Sequence, residues 1–448
     1  MENQELNNQA TTVVEPTTAA AAPTAAATTI AAPNPKLQLL QEAILSGNIP
    51  QMVLNVISYA LDLRSSDIHI EPETFTVRLR YRVDGVLRQI VEYPLNIHPA
   101  VVSRIKIMSN LKIDEQRIPQ DGRCEVTTKD NREMDLRVST LPTVNGEKIV
   151  MRIQDKSRKI PGLPELGLDP HNFQLLVDAL DLPNGIILTT GPTGSGKTTT
   201  LYSALSRLNS VDVNILTIED PVEIQMDGLN QSQVHPDIDY TFAYGLRTAL
   251  RQDPDIIMVG EIRDQETIQT AIEASLTGHL VLSTIHTNSA IETLTRIDNL
   301  GVPPFLMAST IELIIAQRLV RRLCQKCKIP DQPEQKTLTR IKTSLENIGV
   351  PGMVTKEQID KPTFWKENPT GCSECDGIGY KGRVGLYEIM SMNNEIRRMI
   401  LDKASALDIE KTAMKNGMVT LEQDGVLKAQ QGMTSLDEIY RVAKRMEL

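Results

Sequence analysis

Aromatic side chains make up only 3% of the 448 residues, with a single tryptophan. Stacking platforms of the kind that hold single-stranded nucleic acid are therefore scarce. Excess positive charge is missing too: 57 acidic against 47 basic residues leave a formal net charge of −10. That balance argues against indiscriminate nucleic-acid binding through phosphate neutralisation, while leaving room for a local basic patch. No run of 18 apolar residues occurs, which excludes a membrane-spanning helix on sequence grounds. The most apolar stretch, Val302 to Ala316, is interrupted by Ser309, Thr310 and Glu312 and reads as a buried helix. No Lys or Arg precedes Lys36, whereas a secretory signal needs a positive amino-terminal region. Cysteine is rare as well, and four of the five form two Cys-x-x-Cys pairs. Without an export signal, that spacing favours metal or reduced thiols over a disulfide framework, and the chain reads as intracellular.

The length suffices for two or three domains. Residues 1–35 are mostly Ala, Thr and Pro. They offer too little apolar surface to offset the entropy of ordering and read as a disordered tail. Residues 36–154 read as a small α+β domain. Met52 to Leu63 has helical apolar spacing, Phe75 to Val83 alternates apolar and polar residues strictly, and Asp84-Gly85 supplies a hairpin turn. Val101 to Leu111 reads as a second amphipathic helix, with further strands near Arg123–Thr127, Met134–Ser139 and Lys148–Ile153 and a turn at Lys129–Asn131. A Pro- and Gly-containing linker spans 155–168. From 169 to 322 short apolar runs alternate with helical spacing: Gly185–Thr189, Asn214–Ile218, Asp255–Val259 and Leu280–Thr284 read as strands of a parallel sheet buried on both faces. A cysteine-bearing insertion follows at 323–385, and 386–448 reads as helical, ending in helices at Asn394–Asp402, Leu407–Asn416 and Thr434–Met446.

Gly191-Pro192-Thr193-Gly194-Ser195-Gly196-Lys197-Thr198 matches the phosphate-binding loop in full, and Thr199 continues it into the helix. It follows a strand and opens a helix, the context in which backbone N–H groups and the helix N-terminus converge on a phosphate. Lys197 is then placed for the β- and γ-phosphates of a nucleoside triphosphate such as ATP, and the Thr198 hydroxyl for Mg²⁺. Hydrolysis also needs a carboxylate to orient or deprotonate water. Glu219 and Glu261 both end apolar strands, where open α/β sheets place ligands. By residue type alone either serves equally well as a surface group. His279 and His286 flank the run Leu280–Ile285 and are expected near one sheet edge, as γ-phosphate sensors or as ordinary hydrogen-bonded histidines. Cys324-x-x-Cys327 and Cys372-x-x-Cys375 present four thiolates, enough to close a structural Zn²⁺ site, although 44 residues separate the pairs. Arg104, Arg117 and Arg123 suit an arginine finger contributed by another domain or subunit, against the commoner role of solvated surface charge.

These motifs together resemble the secretion ATPase superfamily, specifically its type II secretion and type IV pilus assembly members. The match is carried in order by Ser66-Asp-Ile-His-Ile-Glu-Pro72 with Arg80-x-Arg82-x-Asp84-Gly85, Arg117-Ile-Pro-Gln-Asp-Gly-Arg123, and Leu141-Pro-Thr-Val-Asn-Gly-Glu147. It continues through an aspartate box, Thr217–Glu223, a Walker B segment, Leu250–Asp264, that contains Gly260-Glu261, and a histidine box, Thr277–Asn288. The resemblance implies a RecA-like P-loop core behind an N-terminal, PAS-like N2 domain that rotates against it, and a C-terminal metal-binding and helical region. It further implies a homo-hexamer with ATP at subunit interfaces, and work on pilus or pseudopilus subunits at the cytoplasmic face of the inner membrane. Glu261 becomes the leading catalytic carboxylate and Glu219 a second acidic participant. His279 and His286 become γ-phosphate or interface sensors, and Arg104, Arg117 and Arg123 candidate fingers. The four cysteines favour an assembly-type member over a retraction-type one. Relatives with an additional N-terminal docking domain differ from this sequence, which points recruitment to a polytopic platform protein or to the tail, and membrane association to partners. A retraction or conjugative motor is the rival within the class, and a RecA-like nucleic-acid motor the rival outside it; acidity and few aromatics oppose the latter.

Overall fold

A computed structural model describes residues 35–127, 133–155 and 159–443. The Ala/Thr/Pro tail, the turn expected at Lys129–Asn131 and the far end of the last expected helix lie outside those residues. Six antiparallel strands form the first sheet: β1 Ser65–Pro72, β2 Thr76–Val83, β3 Val86–Pro94, β4 Gln120–Thr127, β5 Glu133–Thr143 and β6 Gly146–Asp155, in the order β3-β2-β1-β6-β5-β4. The alternation in β2 decides which face is covered. Val77, Leu79, Tyr81 and Val83 are buried while Arg78, Arg80 and Arg82 take the other side. Helices Ile49–Asp62 and His98–Met108 cover the apolar face, with Val53, Ile57, Val101 and Ile105 in its core.

The second sheet holds β7 Gly185–Thr190, β8 Ile215–Glu219, β9 Asn230–Gln233, β10 Ile256–Val259, β11 Leu280–Ile285 and β12 Ile311–Leu323. A short ribbon, β13 Ile329–Asp331 with β14 Phe364–Lys366, precedes β15 Tyr380–Ser391, which returns to the sheet. The order is β15-β12-β7-β11-β10-β8-β9, parallel throughout except for β15 on β12. Neighbouring residues of β7 point into different layers. Ile187 packs with Leu201 and Leu205 of helix Lys197–Leu208, whereas Ile186 and Leu188 pack with Ile268 and Leu294 on the opposite face. Covered on both faces, these strands read as unbroken apolar runs rather than alternating ones. This is the RecA-like α/β core that the motifs imply.

Two elements depart from the sequence expectation. The helix expected over Val302–Ala316 is only Pro304–Thr310, and from Ile311 the chain is strand β12, which pairs with both β7 and β15. A continuous apolar run looks alike whether it becomes a buried helix or a two-sided strand; here Ile311, Leu313, Ile314 and Ile315 fill a slot between strands. Strand β15 also carries the sheet across the expected start of a helical region at residue 386. Among the described residues no helix is long and apolar enough to cross a membrane.

Candidate nucleotide site

Strand β7 ends at Thr190, and the chain turns through Gly191, Gly194 and Gly196, whose φ values of 144°, 79° and 93° lie in the region that favours glycine. At Gly191 space is limiting as well: a Cβ there would sit 2.5 Å from the Gln317 carbonyl oxygen. Helix Lys197–Leu208 then starts without a side-chain cap, so its first backbone N–H groups face the loop. Lys197 folds back over the loop, and its Nζ donates to the Gly191 carbonyl at 2.8 Å and to that of Pro192 at 3.4 Å. Burial pushes its ammonium below the usual lysine range, with nearby Glu261 opposing the shift. Pro192, Thr193, Gly194, Thr198 and Thr199 are exposed, whereas Ser195 is buried and its hydroxyl has no partner among the described residues. Behind the loop, Thr190 bonds Thr287 through both the Thr287 N–H and its hydroxyl, at 2.9 and 2.6 Å.

The two carboxylates have different environments. Glu219, at the end of β8, is buried and accepts from the Tyr202 hydroxyl at 2.5 Å, the Thr217 hydroxyl at 2.6 Å and the Gln231 amide at 3.1 Å. Glu261 follows β10 at the rim of a cleft of about 490 Å³ lined also by Ile262, Arg263, Ile285, His286 and Arg296. One of its oxygens meets Arg263, and the other lies 3.5 Å from His286 Nε2. Burial, reinforced by Lys197, holds the half-exposed His286 ring below the usual histidine range and so uncharged at neutral pH.

His279 does not join His286. It precedes β11, whose first residue pairs with Gly185, while His286 follows the end that pairs with Thr190. A strand of six residues, about 20 Å long, separates them. His279 Nδ1 instead faces the Ala274 carbonyl at 2.8 Å, closing the helix before it. The expectation that both histidines share one sheet edge is overturned, because a strand that begins at one residue and ends at the other sends them to opposite edges. Arg104, Arg117 and Arg123 all belong to the six-stranded sheet unit. Arg104 lies on helix His98–Met108 with an Nε that has no partner among the described residues; Arg117 is exposed and pairs with Glu115 at 2.8 Å; Arg123 on β4 stands opposite Arg137 on β5.

Away from the loop, the Sγ atoms of Cys324, Cys327, Cys372 and Cys375 all lie within 4.8 Å of one another. Cys324–Cys372 is 3.7 Å, and Cys327–Cys375 and Cys372–Cys375 are 3.8 Å. A tetrahedron with Zn–S bonds near 2.3 Å has edges of about 3.8 Å, so the four thiols fit a zinc ion. Burial pushes the Cys375 thiol up, but the Cys372 and Gly379 N–H groups outweigh it and bring it to about 7.

Pattern reading missed Gln317 and Arg318. Both lie on β12 beside the loop, within the segment expected to follow a helix, and nothing short of the strand pairing reveals them.

A glycine-rich loop joining a parallel strand to a helix, with a carboxylate at the end of a nearby strand, defines a P-loop nucleotide-binding protein of the RecA-like type. The family model described as type II/IV secretion system protein matches residues 42–441, and the chain belongs to that family. Type IV pilus assembly ATPase PilB of Acinetobacter baylyi is 49% identical over 383 residues, which cover 86% of this chain and 64% of that protein. Type II secretion system protein E of Pectobacterium carotovorum is 43% identical over 416 residues, 93% of this chain and 80% of that one. Among solved structures, the pilus retraction motor PilT with bound ADP superposes with a TM-score of 0.55 at 26% identity, covering 87% of this chain and 96% of that one. The chain thus spans just under two thirds of the length of its Acinetobacter relative.

Proposed function

We propose that the chain is the ATP-hydrolysing subunit of a hexameric motor that powers assembly of pilus or secretion pseudopilus subunits at the cytoplasmic face of the inner membrane, recruited by a polytopic platform protein. The observation that carries this reading is the loop Gly191–Thr198 facing Glu261 across the strand ends, in a chain 49% identical to a pilus assembly ATPase. Relatives named for assembly are closer in sequence than the retraction motor at 26%, which favours assembly over retraction.

In this reading the Lys197 ammonium leaves the Gly191 carbonyl to meet the β- and γ-phosphates. The uncapped helix start supplies N–H donors to the same oxygens. Glu261 is the group to accept a proton from the water that attacks the γ-phosphorus, as the bond to the β–γ bridging oxygen breaks and ADP leaves. It is favoured over Glu219, whose carboxylate is already held by three donors and shut from solvent. Glu219 instead fixes Tyr202 on the loop's helix. The neutral His286 ring holds the remaining face of Glu261. The exposed Thr198 hydroxyl is the side chain to hold Mg²⁺, which when bound neutralises charge on the phosphates. Arg104, Arg117 and Arg123 are the candidates to serve a neighbouring subunit's nucleotide, and His279 an interface.

Two substitutions test the reading by phosphate release and nucleotide binding. Lys197→Ala is expected to abolish turnover. Glu261→Gln is expected to bind ATP within about threefold of wild type while kcat falls by roughly a hundredfold or more, the range for losing a general base. Undiminished kcat in Glu261→Gln would move the base elsewhere.

A further inference from the structure

The phosphate loop and the histidine loop follow neighbouring strands, β7 and β11, and are tied on one side where Thr287 bonds Thr190. What lies against both is the dipeptide Gln317-Arg318 of β12. Gln317 is buried, and its Nε2 donates to the Ser195 carbonyl at 2.8 Å. Its own carbonyl oxygen takes up the space that a Cβ on Gly191 would need, so the glycine loop is pressed onto β12. Arg318, only 7% exposed, spends one arm of its fork on that same Gln317 carbonyl, 2.9 Å away. The other arm reaches the Asn288 carbonyl at 2.9 Å, two residues beyond His286. A planar guanidinium with donors on two arms can brace the histidine loop against β12 at a set distance in a way that an ammonium cannot.

We propose that Gln317 and Arg318 are positioning residues for the hydrolysis reaction: from β12 they set the distance between the phosphate loop that bears Lys197 and the histidine loop that bears His286. Neither needs to touch the nucleotide. The role is to keep the γ-phosphate site closed to the geometry that the attacking water requires, and a displacement of about 1 Å there costs on the order of a hundredfold in rate. Such a role weighs on the chemical step more than on ground-state binding, because in the ATPase reading neither side chain touches the nucleotide.

The inference rests on the ATPase reading above, and one experiment separates the two. Steady-state ATP hydrolysis, binding of a fluorescent ATP analogue and thermal unfolding are measured on the full chain for wild type, Lys197→Ala, Gln317→Met and Arg318→Lys. Gln317→Met keeps the volume and removes both the bond to Ser195 and a buried amide oxygen that has no partner among the described residues, so it is the variant least exposed to folding failure. The expected result is a kcat at least tenfold lower in Gln317→Met and Arg318→Lys, with KM and analogue affinity within threefold of wild type. If Arg318→Lys does not fold, Gln317→Met decides. Wild-type kcat in Gln317→Met, or a raised KM with kcat intact, overturns the positioning role. Absence of turnover in the wild type, or turnover that survives Lys197→Ala, overturns the ATPase reading instead.

Discussion

Lys197 and Glu388 are both buried charged groups, and burial moves them in opposite directions. It lowers the Lys197 ammonium and lifts the Glu388 carboxyl to about 7, against the Ala290 and Leu421 N–H groups, which favour the ionised form. Glu388 lies on β15 and accepts from Ala290 N–H at 2.8 Å, so it caps the helix that follows the histidine loop. A folded-state pKa above the unfolded value near 4.5 means that the native state keeps a proton which the unfolded chain releases. Stability from this group is therefore present below pH 4.5 and falls as pH rises towards 7, by on the order of 3 kcal/mol in all. Glu388→Gln, which cannot ionise, is expected to gain on the wild type in thermal midpoint between pH 5 and pH 8. Parallel curves for the two proteins would show that Glu388 does not titrate in this window. Neither the burial of Glu388 nor the distinction between Glu219 and Glu261 is legible in the sequence. All three carboxylates follow apolar residues, and only the packing shows which of them meets solvent.

At the scale of elements, local signals were enough for the loop that carries the chemistry. Strand, glycine loop and helix are consecutive, and the glycines announce the turn directly. The same holds for β2, where strict alternation names the buried face. Strands β12 and β15 escaped that reading because their apolar runs are explained by partners far away in sequence, such as Ile187 beside Leu313 and Ile315 beside Ile389. Helix Leu421–Gln430 falls within the region expected to be helical but has no amphipathic stripe to mark its own bounds, because it is buried all round, Glu422, Asp424 and Lys428 included. The cysteine cluster is built from two such distant elements, the turn after β12 and the turn before β15. A structural zinc there is expected to contribute to stability outright. Metal analysis of the purified chain should find about one zinc per chain. Stripping it with a strong chelator, or replacing Cys372 with Ser, should lower the thermal midpoint. A metal-free chain with an unchanged midpoint would leave the four thiols without a metal role.

At the scale of the whole molecule, the two sheets meet through the β2–β3 hairpin, where Asp84 accepts from the Gly382 N–H at 2.9 Å, next to the cysteine turn. The motif Arg80-x-Arg82-x-Asp84-Gly85 thus has a local use as a hairpin and a distant one as a contact. The three candidate finger arginines belong to the first sheet unit. In the proposed ring they would serve the nucleotide of a neighbouring subunit. Light scattering with ATP analogue bound is expected to give a mass near six times 49.7 kDa. A monomer at working concentrations that hydrolyses ATP at full rate would count against the ring.

Sequence by itself determined the loop Gly191–Thr198, the pairing of the cysteines into two knuckles and the existence of two strand-rich units. Each is written in residues that are neighbours along the chain, where the preferences of glycine, cysteine spacing and side-chain alternation act directly. Only tertiary structure decided that His279 and His286 part company, that Glu219 is enclosed while Glu261 lines a cleft, and that Gln317 and Arg318 lie behind the loop. Those outcomes depend on strand order and on which groups lose contact with water. Both are set by long-range pairing, which no local pattern contains.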